Sequence, residues 1–377
     1  MAFDRLFRNV LLAGAIGLGV PALPAQAFQA VPIGEFNSPV DIRFVAGQGN
    51  LLYVVEQPGR IMLMRDERPL ARPFLDIERL VLFGGEQGLL SVAFAPDYAT
   101  SRRFYVMFVN NSGNVEIDEF LRDGDDPLHA SRTTRRVVLT IPHPGATNHN
   151  GGQLQFGSDG YLYIAVGDGG NTATPGEPAR DLRSLLGKVL RINPLASGNR
   201  SYQIPPGNPF VGKTGRDEIY AYGLRNPWRM SLTANLIEIG DVGQGEAEEV
   251  NILRIADAKG VNFGWPQYEG NLIYDNSKPG AHPPVFPIHS YSHSGGGCAI
   301  IGGHIIRDSG LPTLAGRYIY GDLCTGEIRS FVPNVSAQTI SGDSPAGISL
   351  PGLGTFGQGR SGQVYMASGG TVYRLEP

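Results

Sequence analysis

The feature that most constrains this chain is a loose internal repeat: a short strand containing tyrosine, a glycine-bearing turn, then another strand. It occurs as Leu51-Leu52-Tyr53-Val54-Val55 before Gly59-Arg60-Ile61, and again at Phe104–Phe108 and Tyr161–Val166. A degraded copy lies at Leu236-Ile237-Glu238-Ile239, and later copies at Tyr318-Ile319-Tyr320 and Val364-Tyr365-Met366. Between them, apolar β-formers recur in short runs bounded by Gly, Asp and Asn, which reads as strands joined by tight turns. Helical periodicity is scarce, and its clearest candidate is the short stretch Glu177–Leu186. One such unit presents two faces and cannot bury both alone. Six units in a ring bury each face against a neighbour, so the repeat predicts an all-β, six-bladed β-propeller of four-stranded antiparallel blades. A pair of β-sandwiches and a solenoid are the alternatives. The unbroken alternation of strand and turn, with no domain-sized linker, argues for the ring.

The first residues read as an export signal. Arg5 and Arg8 precede the apolar run Val10–Val20, and Ala25-Gln26-Ala27 offers a small-residue cleavage site. The run is shorter than the roughly 20 residues that span a bilayer. The expectation is therefore a cleaved signal over 1–27, with cleavage near Ala27, and a single propeller over 28–377 at about 58 residues per blade. The mature protein is expected to be periplasmic or secreted, with no membrane span. A net charge of −4 and the lack of a basic stripe argue against a nucleic-acid partner. The two cysteines, Cys298 and Cys324, are expected to pair in an oxidising compartment.

Four clusters carry chemistry-bearing residues. In Asn148-His149-Asn150-Gly151-Gly152 a histidine sits in a polar, glycine-rich turn, where a loop can meet a ligand. Imidazole titrates near neutrality and serves as a general base. Asp168 emerges from the neighbouring strand of the same hairpin and is placed to hold one ring nitrogen, leaving the other for substrate. In Gly223-Leu224-Arg225-Asn226-Pro227, Arg225 offers a planar fork and Asn226 both donates and accepts. An arginine there equally serves to brace loop carbonyls. The turn Asp241–Asn251 combines glycines with acids, an oxygen-rich setting that suits a hard cation such as Ca²⁺, although its spacing is not that of an EF-hand. In Gly84-Gly85-Glu86-Gln87-Gly88, polar residues enter an apolar strand, so Glu86 or Gln87 is expected at a pocket. Zincin spacing and a nucleophile elbow are lacking.

These clusters stand in an ordered set with Ala93-Phe94-Ala95-Pro96-Asp97, Gly187-Lys188-Val189-Leu190-Arg191 and Asn262-Phe263-Gly264-Trp265-Pro266. The set resembles the soluble PQQ-dependent glucose/sorbosone (aldose sugar) dehydrogenases, over about Val40 to Leu375. The resemblance implies a six-bladed propeller with pyrroloquinoline quinone over the channel mouth, oxidising an aldose at C1 to a lactone. It implies His149 as general base, Asp168 as its orienting partner, and Arg225 and Asn226 as quinone contacts. It implies Glu86, Asn148 and Arg360 among the cofactor contacts, and the carbonyls of Gly243 and Gln244 as Ca²⁺ ligands. The electrons would pass to an acceptor that the sequence does not identify.

The chain also departs from that pattern. PQQ bears three carboxylates, yet Gly357–Tyr365 offers only Arg360 and no close arginine pair, and Val242 replaces a polar contact. The segment Cys298–Cys324 is more similar to the propeller of hedgehog-interacting proteins. Two further functions thus stand beside the dehydrogenase: a non-catalytic, Ca²⁺-stabilised propeller that binds glycan or protein, and a metal-dependent lactonase.

Overall fold

The computed structural model describes residues 28–143, 145–170 and 174–377. The expected export signal over 1–27 lies outside the described residues.

Six antiparallel sheets follow one another along the chain. Blade 1 opens with Pro39–Phe44, blade 2 with Leu89–Phe94, blade 3 with Leu154–Phe156, blade 4 with Pro227–Thr233, blade 5 with Ile300–Ile305 and blade 6 with Leu353–Gln358. These first strands contact one another in ring order and line a central channel. The second strands are Leu51–Glu56, Arg103–Val109, Leu162–Val166, Leu236–Asp241, Tyr318–Asp322 and Val364–Ser368. Each of the six repeat copies falls on one of these second strands. The repeat therefore marks one position in every blade, which is why it recurs once per sheet.

Closure of the ring joins the two ends of the described chain. Gln29–Glu35 pairs with Thr371–Glu376 and supplies the outer strand of the last blade. Burial follows the ring. The apolar residues separate into six clusters, each bridging two adjacent blades: Tyr53 with Phe104, Tyr105 with Leu190, Tyr163 with Met230, Val250 with Tyr318, Ile328 with Phe356, and Ile42 with Tyr365. Tyrosine suits these seams because its ring fills the space between sheets while its hydroxyl reaches a partner at the rim. Tyr105 bonds Glu119, Tyr163 bonds Asp159, and Tyr320 bonds Asp343.

The helix expected over Glu177–Leu186 is shorter than predicted, spanning Glu177–Arg180. The buried Lys188 ammonium explains the stop. It donates to the carbonyls of Pro178, Ala179 and Leu186 at 2.7, 2.9 and 2.6 Å, taking up acceptors that a longer helix would use internally. Among the described residues no helix is long and apolar enough to cross a membrane.

Candidate active site

In an antiparallel blade the start of the first strand and the end of the second lie on the same rim. His149 precedes the first strand of blade 3 and Asp168 follows its second strand. Arg225 and Asn226 precede the first strand of blade 4, and Gly243 and Gln244 follow its second. Glu86 precedes the first strand of blade 2. All of them therefore reach one mouth of the channel.

His149 and Asp168 form the centre. His149 Nδ1 lies 2.7 Å from Asp168 Oδ1. Asp168 Oδ1 also accepts the Gly170 N–H at 3.0 Å, and Oδ2 accepts the Trp265 indole N–H at 2.8 Å. Burial by itself would raise this carboxyl, but the adjacent imidazole and the Gly170 and Trp265 N–H donors hold it below the usual carboxylate range. An ionised Asp168 makes Nδ1 the protonated nitrogen. Nε2 of His149 has no hydrogen-bond partner among the described residues, and the ring keeps about a tenth of its surface exposed. His149 has a φ of +53°, a left-handed conformation that side-chain-bearing residues seldom adopt. Its backbone N–H donates to Glu86 Oε2 at 2.8 Å, and that same oxygen accepts Asn226 Nδ2 at 3.1 Å. Asn226 Oδ1 in turn accepts the Gly151 N–H at 3.2 Å. Glu86 and Asn226 thus hold the turn that presents the imidazole.

Arg225 sits one layer outward. Its Nε and Nη2 donate to Gln244 Oε1 at 3.2 and 2.7 Å, and Nη1 donates to the Val242 carbonyl at 2.9 Å. The guanidinium lies 5.7 Å from the Trp265 ring centroid. Its own carbonyl accepts the Asp168 N–H at 2.7 Å. Trp265 is therefore shared between the acid and the guanidinium. The imidazole, the guanidinium and the Gly243–Gln244 turn converge through a continuous set of contacts. Arg225 is both at the site and bracing a loop carbonyl, so the two roles weighed for it coexist.

The turn after Gly243 has an unusual anchor. Glu269 Oε1 accepts the N–H groups of Gln244, Gly245, Glu246 and Ala247 at 2.7, 2.7, 2.8 and 3.1 Å. Glu269 Oε2 is buried and without a partner among the described residues. Nearby, Asp241 receives the N–H groups of Arg225 and Asn226, and pairs in register with Glu249. Burial raises both Asp241 and Glu249; the Asp241 charge raises Glu249 further, and the Asp168 charge raises Asp241. The unsatisfied Glu269 oxygen leaves one acceptor without a donor at this turn.

Of the expected cofactor contacts, Asn148 stays beside the His149–Asp168 pair and Arg360 does not. Asn148 is half-buried, and its amide packs against Gly170, a residue with φ +62°. Arg360 requires a correction. It follows the end of a first strand, which places it on the opposite rim, where it bonds Asn50 at 3.3 Å in a cavity with Asp66 and Glu67. The mouth itself is a cavity of about 300 Å³ lined by residues such as Val40, Glu86, Asn226, Trp228, Val242 and Leu323, with no lysine or arginine among them. Trp265, Asp241 and Glu269 carry site contacts that the sequence reading did not assign. Trp265 stood in a quoted motif, but it arrives on the long connection between two strands of blade 4, where no strand end marks its position.

The disulfide expectation holds: Cys298 and Cys324 are bonded, with Cα atoms 5.7 Å apart. They flank Ile300–Ile305 and Tyr318–Asp322 on the mouth side, so the bridge pins the rim of blade 5.

Fold and site together define a six-bladed propeller that carries an oriented histidine at its channel mouth. The profile of the glucose/sorbosone dehydrogenases matches residues 36–371, and the chain belongs to that family. It is 32% identical to the HIPL1 protein of Arabidopsis thaliana, over 80% of this chain and 55% of the relative. It is 33% identical to the aldose sugar dehydrogenase YliI of Escherichia coli, over 54% of each. The chain thus spans about half the length of these curated relatives. Among solved structures, the PQQ-bound aldose sugar dehydrogenase of Streptomyces coelicolor superposes with a TM-score of 0.70 at 23% identity, over 94% of this chain and 99% of that one. At that identity the match bears on the fold.

Proposed function

We propose that this protein is a PQQ-dependent dehydrogenase that oxidises an aldose sugar at C1 to its lactone. The observation that carries this reading is the His149 imidazole, fixed through Nδ1 by an ionised Asp168, with Nε2 unpartnered among the described residues. His149 Nε2 takes the proton of the C1 hydroxyl, and Asp168 stabilises the imidazolium that results. General-base help of this kind is worth about 10²- to 10⁴-fold. A bound ortho-quinone supplies the two-electron acceptor for the C1 hydride. Arg225 and Asn226 would hold its oxygen-bearing side, and Trp265 shields the Asp168 carboxylate from water.

The residues suit the quinone end of such a group, where a guanidinium, an amide and an unpartnered imidazole nitrogen meet. For its carboxylates, the mouth cavity itself offers no lysine or arginine. That share would fall to a Ca²⁺ ion, which the carbonyls of Gly243 and Gln244 would hold, with the unpartnered Glu269 oxygen in the same turn. The protein is expected to work outside the cytoplasm after loss of residues 1–27, in keeping with its paired cysteines.

The cation-poor mouth supports a second reading, a non-catalytic Ca²⁺-stabilised propeller that binds glycan or protein at the same face. Reconstitution of purified apo-protein with PQQ and Ca²⁺ separates the two. Sugar-dependent dye reduction that is lost in His149→Ala supports the dehydrogenase. No PQQ binding at micromolar cofactor supports the binding module and sinks the first reading.

A further inference from the structure

The channel does not run open through the ring. Arg229, 2% exposed, crosses it just below the mouth. Its guanidinium donates to the carbonyls of Gly152 and Trp228 at 2.9 Å each, to the Val40 carbonyl, and to Thr355 Oγ1 at 3.1 Å. Four blades are tied by one side chain. Every donor bond is to a neutral group, and Arg229 has no ion pair among the described residues. Burial pulls its pKa down only to about 10, so it stays charged at neutral pH. An unpaired buried cation is costly unless a counter-charge reaches it.

Below Arg229 the channel widens into a second cavity of about 130 Å³, opening on the rim opposite His149. Arg43, Arg229, Arg307, His304 and Gln358 all line it, and no carboxylate does. Arg43 is paired with Asp41 at 3.0 Å, which cancels one charge. Arg307 is exposed and has no ion pair among the described residues. Glu238, a carboxyl within the field of Arg307, is raised by burial to about 8 and is mostly uncharged at neutral pH. The charge of Asp41 also reaches Arg229, so Arg43, Arg229 and Arg307 share one carboxylate and keep a surplus of positive charge. Two buried polar atoms in the same wall lack a partner: Nε2 of His304, a residue 5% exposed, and Nε2 of Gln358. The amide nitrogen can only donate. Surplus positive charge and an unused donor on one small cavity ask for an acceptor that carries negative charge.

We propose that this lower cavity is a binding site for a small oxyanion, a phosphate, sulfate or short carboxylate, held by Arg307, the Gln358 amide and the field of Arg229. The volume admits an ion of that size and excludes a sugar ring or an organic cofactor. Bound there, the anion neutralises the charge at the centre of the ring and links blades 1, 4, 5 and 6 from below.

The test uses the whole mature protein and reads thermal unfolding and titration calorimetry at constant ionic strength. Phosphate, sulfate and acetate are titrated in turn against chloride. The expected result is saturable binding of at least one of them, with Kd on the order of 1 mM and a rise in Tm that follows ligand occupancy. Arg307→Gln, a change at an exposed and unpaired side chain, is expected to weaken it by about tenfold, the loss of one charge-assisted contact. Arg360→Gln, on the same rim but outside the cavity, is expected to leave it unchanged. No saturable binding by any of the three anions, or equal binding in Arg307→Gln and the parent, overturns the proposal. Arg229 separates the two cavities, so neither outcome bears on the reading of His149.

Discussion

Replacing Asp168 by asparagine tests the centre of the site with the smallest change of shape. The carboxylate accepts three N–H donors, from His149, Gly170 and Trp265. Asparagine offers one oxygen and one NH₂, so it cannot serve all three. With its oxygen toward His149 and Gly170, its NH₂ confronts the Trp265 indole N–H. With the amide turned over, NH₂ faces the Gly170 N–H and forces His149 into the tautomer protonated at Nε2, which cannot accept a proton. Either way the imidazolium loses its counter-charge. The expected loss in kcat is about 10²- to 10⁴-fold, or about 3–5 kcal/mol in the barrier. The fold should survive, because one unmatched buried donor costs about 1–3 kcal/mol. Turnover is measured by dye reduction with an aldose on protein loaded with PQQ and Ca²⁺, and the His149 tautomer by ¹⁵N NMR. Trp265→Phe, which removes one donor and keeps the charge, should cost far less than Asp168→Asn. Turnover of Asp168→Asn within about threefold of the parent would refute the role assigned to the dyad, since general-base help is worth at least about a hundredfold.

Further outcomes follow from the same contacts. Arg225→Lys loses the two-pronged grip on Gln244 and the contact with Trp265, and should weaken apparent PQQ affinity by about tenfold or more, measured by cofactor titration. Reducing the Cys298–Cys324 bridge releases a 26-residue link and should cost about 3 kcal/mol; alkylation mass measurement before and after reduction must show none and then two free thiols. Glu238 is held protonated, its carboxyl raised from 4.5 to about 8 chiefly by burial. A raised carboxyl contributes stability that is complete below its unfolded pKa and declines as pH rises through the window from 4.5 to 8. Glu238→Gln should therefore flatten the fall in Tm between pH 5 and pH 8.5, by roughly 5 °C; an unchanged slope would show that Glu238 does not hold its proton.

The fold was legible because the repeat has a structural cause. Tyr53, Tyr105, Tyr163, Tyr320 and Tyr365 each lie on a second strand, buried in a seam between blades, so the same environment selected a similar residue in each sheet. The fourth copy lost its tyrosine, and there Glu238 stands buried without an ion pair among the described residues. The dyad was legible because His149 and Asp168 belong to one hairpin, and hairpin geometry is local. The contacts of Trp265 and Glu269 were not. Both lie on the connection between Arg254 and His289, whose path depends on tertiary contacts rather than on any periodicity. The donors that Glu269 collects are backbone N–H groups, which leave no trace in residue type.

Strand parity accounts for the residue that was misplaced. Glu86, His149, Arg225 and Cys298 each precede a first strand; Asp168, Gln244 and Cys324 each follow a second. Both kinds of position fall on one rim, because successive strands of a blade run in opposite directions. Arg360 follows a first strand and so must fall on the other rim. A motif match along the sequence reports neighbourhood but not parity, and one strand length is enough to carry a cation to the far side of the ring. At this rim Arg225 is already committed to Gln244 and Val242, and Arg229 to neutral groups below the mouth. A trianionic cofactor there depends on the cation at Gly243 and Gln244 far more than it would with an arginine pair beside it. Removing Ca²⁺ with a chelator should abolish PQQ binding, not merely slow turnover. Retention of PQQ at micromolar affinity without Ca²⁺, measured by equilibrium dialysis, would show that another cation meets its carboxylates.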